Sequence, residues 1–164
     1  MQEKALVLKN GQVKGIYEYF VKILQQDGKN AVFSYMVYKN AEKLAPAYAE
    51  IMNKIYIENA DVAFQEFKKK ASELIGQFAD RDEQGNFKRD ENGQIMITEQ
   101  IAEFREADKK LAEENKELLE ARQTKINESM KYLEMTNEYS LLTIKLSDFP
   151  SETAPGIVGI FAEV

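Results

Sequence analysis

Two long stretches of helix-period apolar residues, separated by an acidic, turn-rich segment, dominate this sequence. From residue 46 onward, Tyr48, Ile51, Met52, Ile55, Tyr56, Ala63, Phe64, Phe67, Ala71, Leu74, Ile75 and Phe78 form one stripe. Their spacing of threes and fours predicts a helix over 46–79, about 50 Å long at the α-helical rise. A second stripe starts at Thr98, the expected N-cap, with Glu99 favourably placed in the first turn. Its apolar residues Ile101, Phe104, Leu111, Leu118, Ile126 and Leu133 recur at sevens or at sums of three and four, as in a coiled-coil seam. Asn115 and Arg122 interrupt that seam, and a polar seam residue more often fixes register than carries chemistry. Neither stripe can be buried alone. The predicted fold class is therefore mainly α: a long antiparallel, coiled-coil-like helical hairpin over 46–135 with a small β element. The expected organisation is a single domain over 1–164, with strand and helices in 1–45, a connecting β-turn loop at 80–97, and a strand and tail in 136–164.

The flanks supply the β element. Residues 4–8 read as a short strand, punctuated by Asn10-Gly11. Val13, Ile16, Tyr17, Phe20, Ile23 and Leu24 predict an amphipathic helix over 13–26, ending near Asp27-Gly28. Residues 30–45 resume helical spacing, although the aromatic run Phe33, Tyr35, Tyr38 also suits a strand. Pro46 either opens a new helix or bends a continuous one. The alternation in 139–146 reads as a second strand, able to pair with the first. Asn92-Gly93 predicts a tight hairpin turn. Pro150 and Pro155 bracket a loop, and 156–164 reads as a helical turn or a strand.

Composition excludes much chemistry. With no Cys and no His, there is no disulfide, no thiolate nucleophile, no Ser-His pair and no histidine metal ligand. No run of about 18 apolar residues is present, so no membrane span is expected. The start of the chain carries no signal-peptide pattern. A cytoplasmic location is the default. The net charge of −6 argues against duplex nucleic acid as a partner, which requires a basic footprint. The charge is uneven: residues 1–70 hold 11 basic and 8 acidic side chains, net +3, and residues 71–164 hold 11 and 20, net −9. Either the first half meets an anionic partner or two oppositely biased helices pair with each other, and helix pairing is the commoner arrangement.

Three local patterns bear on function. Asp80, Asp82, Gln84, Gly85, Phe87 and Glu91 match positions of a calcium-binding loop. Gln84 and Lys88 are poor choices at their positions, and an acidic turn explains the same residues, so no metal is expected. Carboxylate pairs such as Glu103 with Glu106 and Glu113 with Glu117 read as a solvated face rather than an acid–base pair. Aromatic rings and lysines interleave between residues 14 and 39, an arrangement that can stack against and neutralise a small anion. Tyr17, Phe20 and Phe33 are expected in the core. Tyr19, Lys22, Tyr35, Tyr38 and Lys39 are the candidate ligand- or partner-binding residues.

Tyr38-Lys39-Asn40-Ala41, the segment Ile75-Gly76-Gln77-Phe78-Ala79-Asp80-Arg81-Asp82-Glu83-Gln84-Gly85-Asn86, the acidic helix after it and Ile144-Lys145-Leu146-Ser147-Asp148-Phe149 occur in an order that resembles a family of small helical proteins of tailed phages and prophages. That family's function is unassigned. The chain departs from it at Gly76-Gln77-Phe78-Ala79, where the family carries a Lys-Tyr-Gly-Glu-like tetrad, and over 121–137, which is longer. The resemblance implies phage origin and a host-cytoplasmic location, and it brings no catalytic residue or cofactor. The functional expectation is a non-enzymatic binding protein that blocks a host factor or sequesters a small host defence signal. The alternative is a virion structural or assembly component built on the hairpin. A host protein or small anionic ligand is the expected partner, with self-association to cover the long apolar stripes.

Overall fold

The computed structural model of the chain describes residues 1–26 and 30–163. The expected helix end at Asp27-Gly28, together with Lys29 and Val164, lies outside the described residues. Among those residues the protein is mainly helical, with a small two-stranded antiparallel sheet. The elements run β1 (Gln2–Lys9), α1 (Asn10–Leu24), α2 (Ala31–Lys54), α3 (Val62–Phe78), α4 (Ile101–Glu114), α5 (Lys116–Glu134), β2 (Thr136–Thr143) and α6 (Pro155–Phe161). No described helix is long and apolar enough to cross a membrane. The chain forms two compact units: Met1–Ile55 with Asn127–Val164, and Tyr56–Ile126. The divisions fall at 55/56 and 126/127, inside the 46–135 segment and not at its ends.

The first unit holds the main core. The apolar face of α1 (Val13, Ile16, Phe20, Ile23) packs with Phe33, Met36, Val37, Leu44 and Ile51 of α2, Leu141 of β2, and Ile157 and Phe161 of α6. Asn30 caps α2, its side-chain oxygen accepting from the Val32 and Phe33 amides at 2.8 and 3.4 Å, which satisfies two of the orphan donors of the first turn. The helix runs through Pro46 without ending, at the expense of one backbone bond. Segment 30–45 is therefore helical, and the strand reading of its aromatic run does not hold. β1 and β2 pair antiparallel with Gln2 opposite Thr143 and Lys9 opposite Thr136. The sheet is tied to α2 by one fully buried side chain. Asn40, 0% exposed, donates to the Leu142 carbonyl at 2.9 Å and accepts from the Leu142 amide at 2.8 Å.

The second unit interrupts both predicted long helices. The stretch expected as one helix over 46–79 ends at Lys54, passes through a 3-10 turn (Glu58–Ala60) and restarts at Val62. The restart is capped by Asp61, whose carboxylate accepts from the Phe64 amide at 3.1 Å. The other arm breaks at Asn115, whose amide donates to the Leu111 carbonyl at 2.8 Å and competes with the helical ladder. The N-cap of α4 is Gln100, not Thr98; Thr98 is instead held by Asp80. Phe78 and Phe104 meet edge-on with centroids 6.0 Å apart. Arg122 lies over the Phe64 ring at 4.0 Å while donating to Glu58 at 2.6 Å. This seam arginine is therefore held by both a ring and a carboxylate. Its charge is favoured by the Glu58 hydrogen bond, which outweighs the burial.

Residues 81–96 form two consecutive turns of one geometry. Asp82 accepts from the Gln84 and Asn86 amides, and Asp90 accepts from the Asn92 and Gln94 amides. Arg81 donates to the Gly85 carbonyl and Arg89 to the Gly93 carbonyl. Gly85 and Gly93 both take positive φ, 85° and 79°, the region where a β-carbon clashes. The Lys88 amide donates to the Asp80 carbonyl, Met96 to Lys88, and Asp80 to Met96, each at 2.9 Å, closing a small ring of backbone bonds. The acidic segment thus builds a double turn, in which the carboxylates of Asp82 and Asp90 accept from nearby backbone amides. Among the described residues, no group of three or more acidic side chains is arranged to hold a metal ion.

Replacing Asn40 with Ala leaves the Leu142 amide and carbonyl without partners. The expected loss is about 2–4 kcal/mol by denaturant titration. The Asp80 carboxyl is held below its ordinary value of 3.8, chiefly by the Thr98 hydroxyl, with help from the Thr98 and Glu99 amides. A depressed carboxyl stabilises the fold above its unfolded-state value, and that contribution fades as pH falls through the lower folded-state value. An NMR titration should place the Asp80 midpoint below that of an ordinary aspartate, and Thr98→Val should raise it.

Candidate functional site

The five candidate binding residues separate into two places. Tyr35, Tyr38 and Lys39 lie on the outer side of α2, where the two tyrosines are 52% and 46% exposed. There Glu42 takes both polar partners: the Tyr38 hydroxyl donates to one carboxylate oxygen at 2.7 Å and the Lys39 ammonium to the other at 2.8 Å. Those two bonds, Lys39 foremost, hold the Glu42 carboxyl below its usual range, and Glu42 in turn raises Tyr38 and Lys39. Lys39 also sits 5.2 Å from the Tyr38 ring centroid. The cation expected to meet an anionic ligand already has an anion of its own.

Tyr19 and Lys22 are brought together at the end of α1. They line a cavity of about 210 Å³ with Ile23, Gln26, Phe33, Pro150, Glu152 and Thr153. The helical period explains the α1 side of this wall: Tyr19, Lys22 and Ile23 share one side of the helix end at three-and-four spacing, and Gln26 follows just past it. The opposite wall is the segment between β2 and α6, in which Pro150 follows a 3-10 turn (Leu146–Asp148) and Pro155 opens α6 as its first residue. Phe33 lies against Phe149 of that loop, centroids 5.8 Å apart. The Tyr19 hydroxyl accepts from the Ala154 amide at 3.4 Å, which leaves its own hydrogen to donate.

Thr153 distinguishes this cavity. It is 8% exposed, and its hydroxyl has no hydrogen-bond partner among the described residues. A buried hydroxyl without a partner costs free energy, and such groups are few in folded proteins. Lys22 forms no ion pair among the described residues. The cavity is therefore lined by the polar residues Lys22, Tyr19 and Thr153 together with the apolar Ile23, Phe33 and Pro150. Glu152 is the one acidic residue among those that line it. Sequence reading did not find Thr153, although the two prolines around it mark its loop.

A larger groove in the same unit, about 490 Å³, runs past Asn10, Lys43, Glu50, Lys54, Tyr132 and Tyr139. Its polar groups satisfy one another. Asn10 donates to the Tyr132 carbonyl at 2.9 Å and accepts from Asn137 at 3.0 Å. Lys54 donates to Glu50 at 2.5 Å, and Lys43 bonds the Ser140 carbonyl at 2.9 Å as well as Glu3. Burial pushes the Tyr139 hydroxyl up from its ordinary value, as expected of a structural tyrosine. The smaller cavity is thus the better site, because its donors are not consumed.

No family model, curated protein or solved structure matches the chain.

If the Thr153 hydroxyl is an orphan donor in the free protein, Thr153→Val removes an unmet polar group at nearly constant volume. The variant should be more stable by about 1 kcal/mol in thermal or denaturant unfolding.

Proposed function

We propose that the chain is a non-enzymatic binding protein that holds a small anionic ligand in the cavity formed by Tyr19, Lys22 and Thr153. The observation that supports this reading is the buried Thr153 hydroxyl beside Lys22, neither of which has a side-chain partner among the described residues. Both groups gain a partner when an anion enters, so the binding free energy is realised at a site the fold leaves unsatisfied. At about 210 Å³ the cavity falls below the range of about 300–1,000 Å³ typical of drug-sized ligands. It suits one phosphoryl or carboxylate group with a single ring, the terminal part of a nucleotide-like signal. The phage resemblance gives such binding a role: a phage-encoded protein in the host cytoplasm that sequesters a small host defence signal or blocks a host factor.

A second reading draws on the second unit. Phe78 against Phe104, and Arg122 against Glu58 and Phe64, pair residues in opposite chain order, which favours an antiparallel helical hairpin of α3 against α4 and the start of α5. In a virion or assembly component that hairpin serves as a spacer.

Thermal unfolding of the full chain with inorganic phosphate and with nucleoside monophosphates separates the two. Ligand that binds only the folded state adds about 2.7 kcal/mol at a hundredfold excess over its Kd. The binding reading expects such a rise in Tm for the wild type, lost in Lys22→Ala and in Thr153→Val. No rise with any probe, together with recovery of the chain in purified particles, would favour the structural reading.

A further inference from the structure

The hydrogen-bond pattern of the small sheet leaves one strand edge open. Leu142 uses both its amide and its carbonyl on the Asn40 side chain, so neither points at β1. Its pair with Glu3 is therefore of the non-hydrogen-bonded kind, and the alternation of an antiparallel ladder follows from it. Even-numbered residues of β1 bond β2; the backbone groups of Glu3, Ala5, Val7 and Lys9 point to the far side. Two further bonds agree. The Lys9 amide turns away from β2 to the Gln12 side chain at 2.9 Å, and the Asn10 amide turns toward it, reaching the Met135 carbonyl at 2.8 Å.

The two outer edges are treated differently. The edge of β2 is covered by α2: Asn40 takes Leu142, and Lys43 donates to the Ser140 carbonyl. On β1, no described residue bonds the outward amides or carbonyls of Glu3, Ala5 and Val7. The side chains of Glu3, Ala5, Val7 and Lys9 are all exposed, with Val7 at 65%. An open edge carrying an exposed valine is a template for another strand.

We infer that this edge pairs with β1 of a second copy of the chain, antiparallel across a two-fold axis at Leu6, to make a four-stranded sheet. Charge selects both partner and register. With Leu6 opposite its own copy, Glu3 of each chain faces Lys9 of the other, and Ala5 and Val7 exchange both backbone bonds. A shift of two residues either way loses the charge pairs: it sets Glu3 against Val7, or Ala5 against Lys9. Opposite charges directly across a sheet stabilise it, and like charges destabilise it. The two-fold makes every favourable pair occur twice.

Sedimentation velocity of the full chain through the micromolar range tests this. The wild type should show a reversible monomer–dimer equilibrium. Val7→Pro removes an outward amide that bonds none of the described residues, so it should abolish the dimer and leave the circular dichroism unchanged. Glu3→Lys and Lys9→Glu, each alone, place like charges across the axis twice and should weaken dimerisation about tenfold or more. The double variant restores opposite charges between chains but not the pairs of Glu3 with Lys43 and Lys9 with Glu134 within each chain. Recovery of the dimer in the double variant therefore reports the interchain contact alone. A wild type that stays monomeric overturns the inference, as does a dimer that survives Val7→Pro or a double variant no better than the singles.

Discussion

The contact on which the first unit depends is a single amide side chain. Asn40 is a polar group in the middle of an apolar helix face, and it is tolerable there only because Leu142 meets both its donor and its acceptor. The bond joins positions 102 residues apart. It sets the height at which α2 crosses β2, closes one side of the sheet to further pairing, and by the same geometry turns the other side outward. The core around it, from Phe20 and Phe33 to Ile144 and Phe161, is non-directional and would accept several alignments. The asparagine accepts one.

Polar groups elsewhere follow the same rule, each consumed by a neighbour. Asp82 and Asp90 close their turns, Glu42 occupies Tyr38 and Lys39, and Arg122 spends its charge on Glu58 and the face of Phe64. Against that background the cavity at the end of α1 is an exception. Buried side-chain atoms without a hydrogen-bond partner also occur on Asp61, Arg122 and Glu163, but each of those side chains is held through another contact, which the Thr153 hydroxyl lacks among the described residues. Hydrogen-bond satisfaction and cavity size point to different places in this unit, since the polar groups of the larger groove satisfy one another.

Much of the first unit was legible in the residue pattern. The period-two runs gave both strands, and the three-and-four spacing gave α1 and α2, because each element buries one face and exposes the other. The long uninterrupted helices were not found, for reasons confined to single side chains: Asp61 offers a cap, and Asn115 offers its own amide to a carbonyl one turn back. Apolar spacing continues across both breaks and is blind to them. The double turn was visible only in part. Arg81-Asp82-Glu83-Gln84-Gly85-Asn86 and Arg89-Asp90-Glu91-Asn92-Gly93-Gln94 repeat an Arg, an Asp and a Gly at the same offsets. Matching the stretch to a single twelve-residue ion loop hid that repeat of eight. At the candidate site, Tyr19 and Lys22 stood out through the interleaving of rings and lysines along α1 and α2. Thr153 was not, since its partnerless state exists only after the loop folds back.

The first unit is discontinuous along the chain: the whole of Tyr56–Ile126 lies between its two portions. Its strands, although paired residue for residue, lie far apart in the sequence, Gln2 with Thr143. A ribosome releases β1, α1 and α2 long before the strand that completes their sheet and the asparagine's acceptor. The intervening segment, whose contacts are all closer in sequence, is free to reach its own structure first. During synthesis the open flank of α2 and both edges of β1 are exposed at once, so the nascent protein passes through a stage at which it is more adhesive than its finished form.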